Sequence, residues 1–125
     1  MTVYKLCFYV PEDHAEAVKN AVFEAGAGRI GNYDCCSFQV AGQGQFRPLE
    51  GSDPYIGGQG EIETVREFRV ETICMEDQLR AAISALRRAP PYEEPAIDLG
   101  NVAEPPGSVR TRVRGIRGGV SVTLA

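Results

Sequence analysis

Residues 3 to 10, VYKLCFYV, alternate with a period of two: Leu6, Phe8 and Val10 fall on one face, Lys5, Cys7 and Tyr9 on the other. That period predicts a half-buried strand. The pattern then changes. Ala15, Val18, Val22 and Ala25 recur at three- and four-residue steps, which places one apolar stripe on a helix opened by Pro11, Glu12 and Asp13 and stopped by Gly26 as a left-handed cap. YDCCSFQV, 33 to 40, reads as a second strand, with Cys36, Phe38 and Val40 facing one way and Tyr33, Cys35, Ser37 and Gln39 the other. From 41 to 61 six glycines and two prolines predict a long irregular connection, either a binding loop or a mobile surface loop.

Alternation resumes at 64 to 75, where Phe68, Val70, Thr72 and Cys74 oppose Glu67, Arg69, Glu71 and Ile73. Leu79, Ala82, Ile83 and Leu86 then form the stripe of a second helix over 76 to 88. Its acidic start and basic end suit the helix dipole, and Pro90 and Pro91 terminate it. AIDLGNV supplies a short fourth strand. The chain therefore runs strand, helix, strand twice. That order predicts an α+β, ferredoxin-like β-α-β-β-α-β sandwich, with both helices on one face of a four-stranded antiparallel sheet. The other face would carry Lys5, Cys7, Tyr9, Tyr33, Cys35, Glu67, Arg69, Glu71 and Ile73, a mixture that self-association would cover.

The 125 residues, 43% of them apolar, suffice for one domain. No apolar run reaches membrane-spanning length and no secretory leader is visible, so a cytoplasmic location without membrane contact is expected. Residues 1 to 100 hold 9 Lys/Arg against 16 Asp/Glu, while 101 to 125 hold 4 Arg against one Glu. An acidic body argues against nucleic acid as a partner. The division is a domain over 1–100 and a basic extension over 101–125, whose VRTRVRGIRGGVSV suggests an extra β-hairpin or a frayed tail.

Gly26, Gly28 and Gly31 in GAGRIGNYDCC match the dinucleotide-binding spacing G-x-G-x-x-G. They follow a helix and precede a strand, the reverse of the order that aims a helix N-terminus at a pyrophosphate, so they read as cap and turn. Cys7, Cys35, Cys36 and Cys74 lack C-x-x-C spacing and read as reduced thiols. A metal or thiol chemistry would draw on Cys35, Cys36 and Glu93. In the Gly-rich segment Arg47 offers a fork for carboxylate or phosphate, and Tyr55 a cover for a small molecule.

Three separated stretches, AGAGRIGNYDCCSF, GQGQFRPLEGSDPYIGGQGEIETVREFRVE and PPYEEPAIDL, resemble the PII-like, CutA-like module inserted in YqfO-type members of the Nif-three-like dinuclear-metal family, which also occurs alone. The resemblance covers residues 3 to 100. It implies a homotrimer whose sheets pack around an axis, with a small ligand or a divalent metal ion bound at clefts between subunits. The two-metal hydrolase centre of that family lies in domains flanking the module, so its chemistry does not transfer. The family's histidine before Pro-Tyr-Glu is replaced here by Pro90. The expected function is a non-enzymatic binding or regulatory module for a small anionic ligand or metal ion, with Tyr33, Arg47, Tyr55, Glu71 and Tyr92 as ligand-binding candidates. The alternatives are a CutA-type divalent-metal binder and a thiol or metal-dependent enzyme using Cys35, Cys36 and Glu93.

Overall fold

The computed structural model describes residues 2–102. The predicted hairpin of the basic extension and the end of its domain division lie outside the described residues. Strand β1 spans Val3–Pro11, a 3-10 turn Glu12–His14, α1 Ala15–Glu24, β2 Phe38–Phe46, β3 Glu63–Met75, α2 Glu76–Arg88 and β4 Ile97–Asn101. The strands form one antiparallel sheet in the order β2-β3-β1-β4. This is the ferredoxin-like arrangement the strand and helix order predicts. No helix among the described residues is long and apolar enough to cross a membrane.

The core follows from the alternation. Leu6, Phe8 and Val10 of β1, Val70 and Cys74 of β3 and Ile97 of β4 share the inner face and are buried against Ala15, Val18 and Val22 of α1 and Ala82 and Leu86 of α2. Burial of apolar side chains at about 25 cal/mol per Å² is the term that selects this face over the charged one. Alpha helix α1 ends where Gly26 takes φ +114°. The Gly26 amide donates to the Phe23 carbonyl at 2.9 Å and the Ala27 amide to the Val22 carbonyl at 3.3 Å, a Schellman cap.

The second strand corrects the sequence reading in face and in extent: Phe38 and Val40 stand exposed on the outer face in register with Glu71 and Arg69, and Gln39 turns to the helices, where Lys19 donates to it. The strand begins at Phe38 rather than Tyr33 and runs through the glycines to Phe46, so the irregular connection shortens to residues 47–62. The reason is β3. At 13 residues it is long enough to pair with β1 over Glu67–Met75 and with β2 over Glu63–Glu71, and its free edge captures AGQGQF despite the low strand propensity of glycine. Meanwhile 27–37 docks on β3 by other bonds. The Gly28 amide donates to the Ile73 carbonyl at 2.8 Å, the Cys36 amide to the Gly28 carbonyl at 2.9 Å, and buried Thr72 Oγ1 to the Cys36 carbonyl at 2.7 Å.

Candidate functional site

On the helix-free face of the sheet, near the end of β1, a cavity of about 570 Å³ lies between the segment following β2 and the Pro-rich segment preceding β4. Its size falls in the range of small-molecule clefts. Register explains the place. Glu67 pairs with Pro11 at the end of β1 and with Gly42 of β2, so its side chain stands on the outer face beneath both segments. Phe46, Arg47 and Tyr55 reach the cavity from one side, Tyr92, Glu93 and Glu94 from the other, and Tyr9 and Glu67 form the sheet wall.

Three contacts hold these segments. The Tyr92 hydroxyl donates to Glu67 Oε2 at 2.9 Å. The Asp53 amide donates to Glu93 Oε1 at 3.0 Å. The Tyr55 ring meets His14 edge-on, with centroids 5.5 Å apart. Half-buried Tyr92 has its pKa raised by desolvation first and then by the Glu67 carboxylate. It is therefore a hydrogen-bond donor at any physiological pH. The peptide bond between Pro90 and Pro91 is cis.

Of the ligand-binding candidates, Arg47, Tyr55 and Tyr92 converge on this cavity, together with Glu93 from the metal set. The others do not. Glu71 lies further along the same face in an ion-pair cluster, bonded to Lys5 at 2.7 Å and Arg69 at 3.3 Å; the Lys5 hydrogen bond holds its carboxyl below the usual range. Tyr33 is 76% exposed, in a turn closed by mutual backbone hydrogen bonds with Ile30. It is not on a strand face. Cys35 is exposed at φ +54°, a left-handed conformation in which side-chain alternation has no meaning, and Cys36 is half-buried rather than part of the core.

Within one chain Cys35 and Cys36 do not meet Glu93. The Cys36 carbonyl is anchored at Thr72, and the cavity at Glu67, five residues or about 16 Å away along β3. Among the described residues no three His, Cys, Asp or Glu groups lie close enough to hold a metal ion. Reasoning from the sequence missed Glu67 and Tyr9 as cavity residues. The available signal was Glu67 itself, a carboxylate on the outer face of a central strand.

No family model matches the chain. Among curated proteins, a GTP cyclohydrolase 1 type 2 homolog of Mycobacterium leprae is 50% identical over 105 residues, covering 84% of this chain and 27% of that protein. The chain thus spans about a quarter of the length of the curated relatives it matches. Among solved structures, a Bacillus cereus protein related to NIF3 superposes with a TM-score of 0.70 at 35% identity, over 99% of this chain and 28% of that one. CutA from Synechococcus elongatus superposes with a TM-score of 0.59 at 22% identity, over 81% and 77% of the two chains, a likeness of fold. Sheet order, helix placement and these likenesses together identify the chain as carrying a Nif3-like domain with a CutA-like fold.

Proposed function

We propose that this domain is a non-enzymatic binding or regulatory module that takes a small ligand bearing an anionic group in the cavity between residues 46–56 and 92–96. The observation that carries the reading is convergence: Arg47, which has no hydrogen-bond or ion-pair partner among the described residues, shares one cavity with Tyr55 and Tyr92. A guanidinium supplies a fork for carboxylate or phosphate, and aromatic walls exclude water around it. The site works within a homotrimer. Support for self-association comes from the outer sheet face, where Phe38 and Val40 are 65% and 46% exposed beside the Lys5–Glu71–Arg69 cluster. A second copy covering them would bring the adjoining cavity to a subunit boundary.

A thermal-shift screen of nucleotides, organic acids and divalent metal ions, paired with light scattering of the eluting protein, tests this reading. The expected result is a trimer stabilised by at least one anionic compound, with the shift lost in Arg47→Ala. A monomer at micromolar concentration removes the subunit-boundary site, and shifts that survive Arg47→Ala remove the anion contact. Metal ions belong in the screen because Cys35 and Cys36 of one copy could meet Glu93 only across copies. A metal-induced shift abolished by replacing both cysteines with serine would favour that second arrangement.

A further inference from the structure

The charges lining the cavity do not suit a wholly anionic occupant. Three carboxylates, Glu67, Glu93 and Glu94, face the single guanidinium of Arg47. An anion would gain from one and lose to the others, since like charges brought together in a partly desolvated cleft repel. The carboxylates are not equivalent. Glu93 Oε1 accepts the Asp53 amide, and Glu67 Oε2 accepts the Tyr92 hydroxyl. Glu67 Oε1 accepts from no group among the described residues.

That oxygen is also open. No buried side-chain nitrogen or oxygen among the described residues lacks a partner, so an unpartnered Glu67 Oε1 must reach solvent, and Glu67 lines the cavity. Gly44 keeps it so. A Cβ at position 44 would collide with Glu67 Oε1, and only a glycine lets the carboxylate lie over bare backbone. Tyr92 fixes the other oxygen, which orients the free one. The wall therefore presents a positioned acceptor with unused capacity, of the kind that binds a protonated amine or an N–H edge by a charge-assisted hydrogen bond.

We propose that Glu67 is the specificity-determining residue of this cavity, selecting aromatic ampholytes: small aromatic ligands that carry a protonated amine as well as an acidic group. The donor meets Glu67 Oε1, the acidic group meets Arg47, and the ring lies against Phe46, Tyr55 and Tyr92. This rests on the reading of the cavity as a ligand site. It adds the requirement for a donor, which that reading lacks.

The test uses the full chain and three probes that share one ring: tryptophan, indole-3-propionate and tryptamine, compared by calorimetric titration. Wild type should bind tryptophan about tenfold or more tightly than either single-function probe, the scale of one charge-assisted hydrogen bond. Glu67→Gln should bring tryptophan and indole-3-propionate to within about threefold of each other. Gly44→Ala, which displaces the carboxylate without removing it, should narrow the gap in the same direction and serves if Glu67→Gln fails to fold. Equal affinity of wild type for tryptophan and indole-3-propionate overturns the proposal, as does a preference that persists in both variants. Arg47-dependent binding of indole-3-propionate without a gain from the amine overturns it while the cavity stands as an anion site. No response to any probe overturns the ampholyte class, and the wider screen then decides the cavity.

Discussion

The amide of Asp53 donates to Glu93 Oε1 at 3.0 Å, joining positions forty residues apart across the mouth of the cavity. Both residues are exposed, so the bond shapes the cavity more than it stabilises the fold. Glu93→Ala should raise amide hydrogen exchange in residues 49–56 several-fold, because this bond restrains that irregular segment. Thermal unfolding should move by no more than about 2 °C. Unchanged exchange in that segment would show that the tether does not restrain it.

Tyr92 carries a pH dependence. Its folded pKa is raised above the ordinary 10.0, by burial and then by Glu67, so folding favours the neutral phenol. The stabilisation is complete below pH 10 and is lost as pH climbs through the raised folded value. In wild type, phenolate absorbance should show Tyr92 ionising well above an ordinary tyrosine, with Tyr9 shifted in the same direction, and Tyr92→Phe should remove the most strongly shifted step. The same variant should cost about 1 kcal/mol near neutral pH, the low end for a hydrogen bond to a carboxylate that is partly solvated. Ordinary titration of every tyrosine in the native state would contradict the burial argument.

Thr72 anchors the segment between α1 and β2. It is 5% exposed, and its Oγ1 donates to the Cys36 carbonyl at 2.7 Å. Thr72→Val keeps the shape and strands that carbonyl, so urea unfolding should report a loss of about 1–3 kcal/mol. Phe8→Ala, removing a ring that is 1% exposed, should cost more, about 3–5 kcal/mol. A neutral Thr72→Val would mean that water replaces the hydroxyl.

Phe38 and Val40 test the sheet face. Both point outward on β2, in register with Glu71 and Arg69, and neither contributes to the core. Replacing both with Asp should leave circular dichroism unchanged and shift light scattering from the proposed trimer to monomer, since burying two new charges in an apolar contact costs several kcal/mol. A trimer that survives the double replacement would place the subunit contact elsewhere.

Within the described residues, the sequence by itself determined both helices, the helix-capping Gly26, three of the four strands and the inner face that those three strands present. These are local properties: a 3.6-residue or two-residue apolar period selects its own element and the side that leaves water, as Val18–Val22 and Leu6–Phe8–Val10 show. The second strand was not legible there. Cys35 and Cys36 alternate like strand residues and Gly42 and Gly44 do not, yet the long edge of β3 pairs with the glycines and leaves the cysteines in a turn, because hydrogen bonding to a fixed partner outweighs propensity. The candidate site divides the same way. Arg47, Tyr55 and Tyr92 stood out by residue type, since forks and rings suit ligands wherever they lie. Only the tertiary structure brought them to one cavity, added Glu67 and Tyr9 from the sheet, and set Tyr33, Glu71 and the cysteine pair apart, because that assembly depends on strand register and on contacts forty residues long.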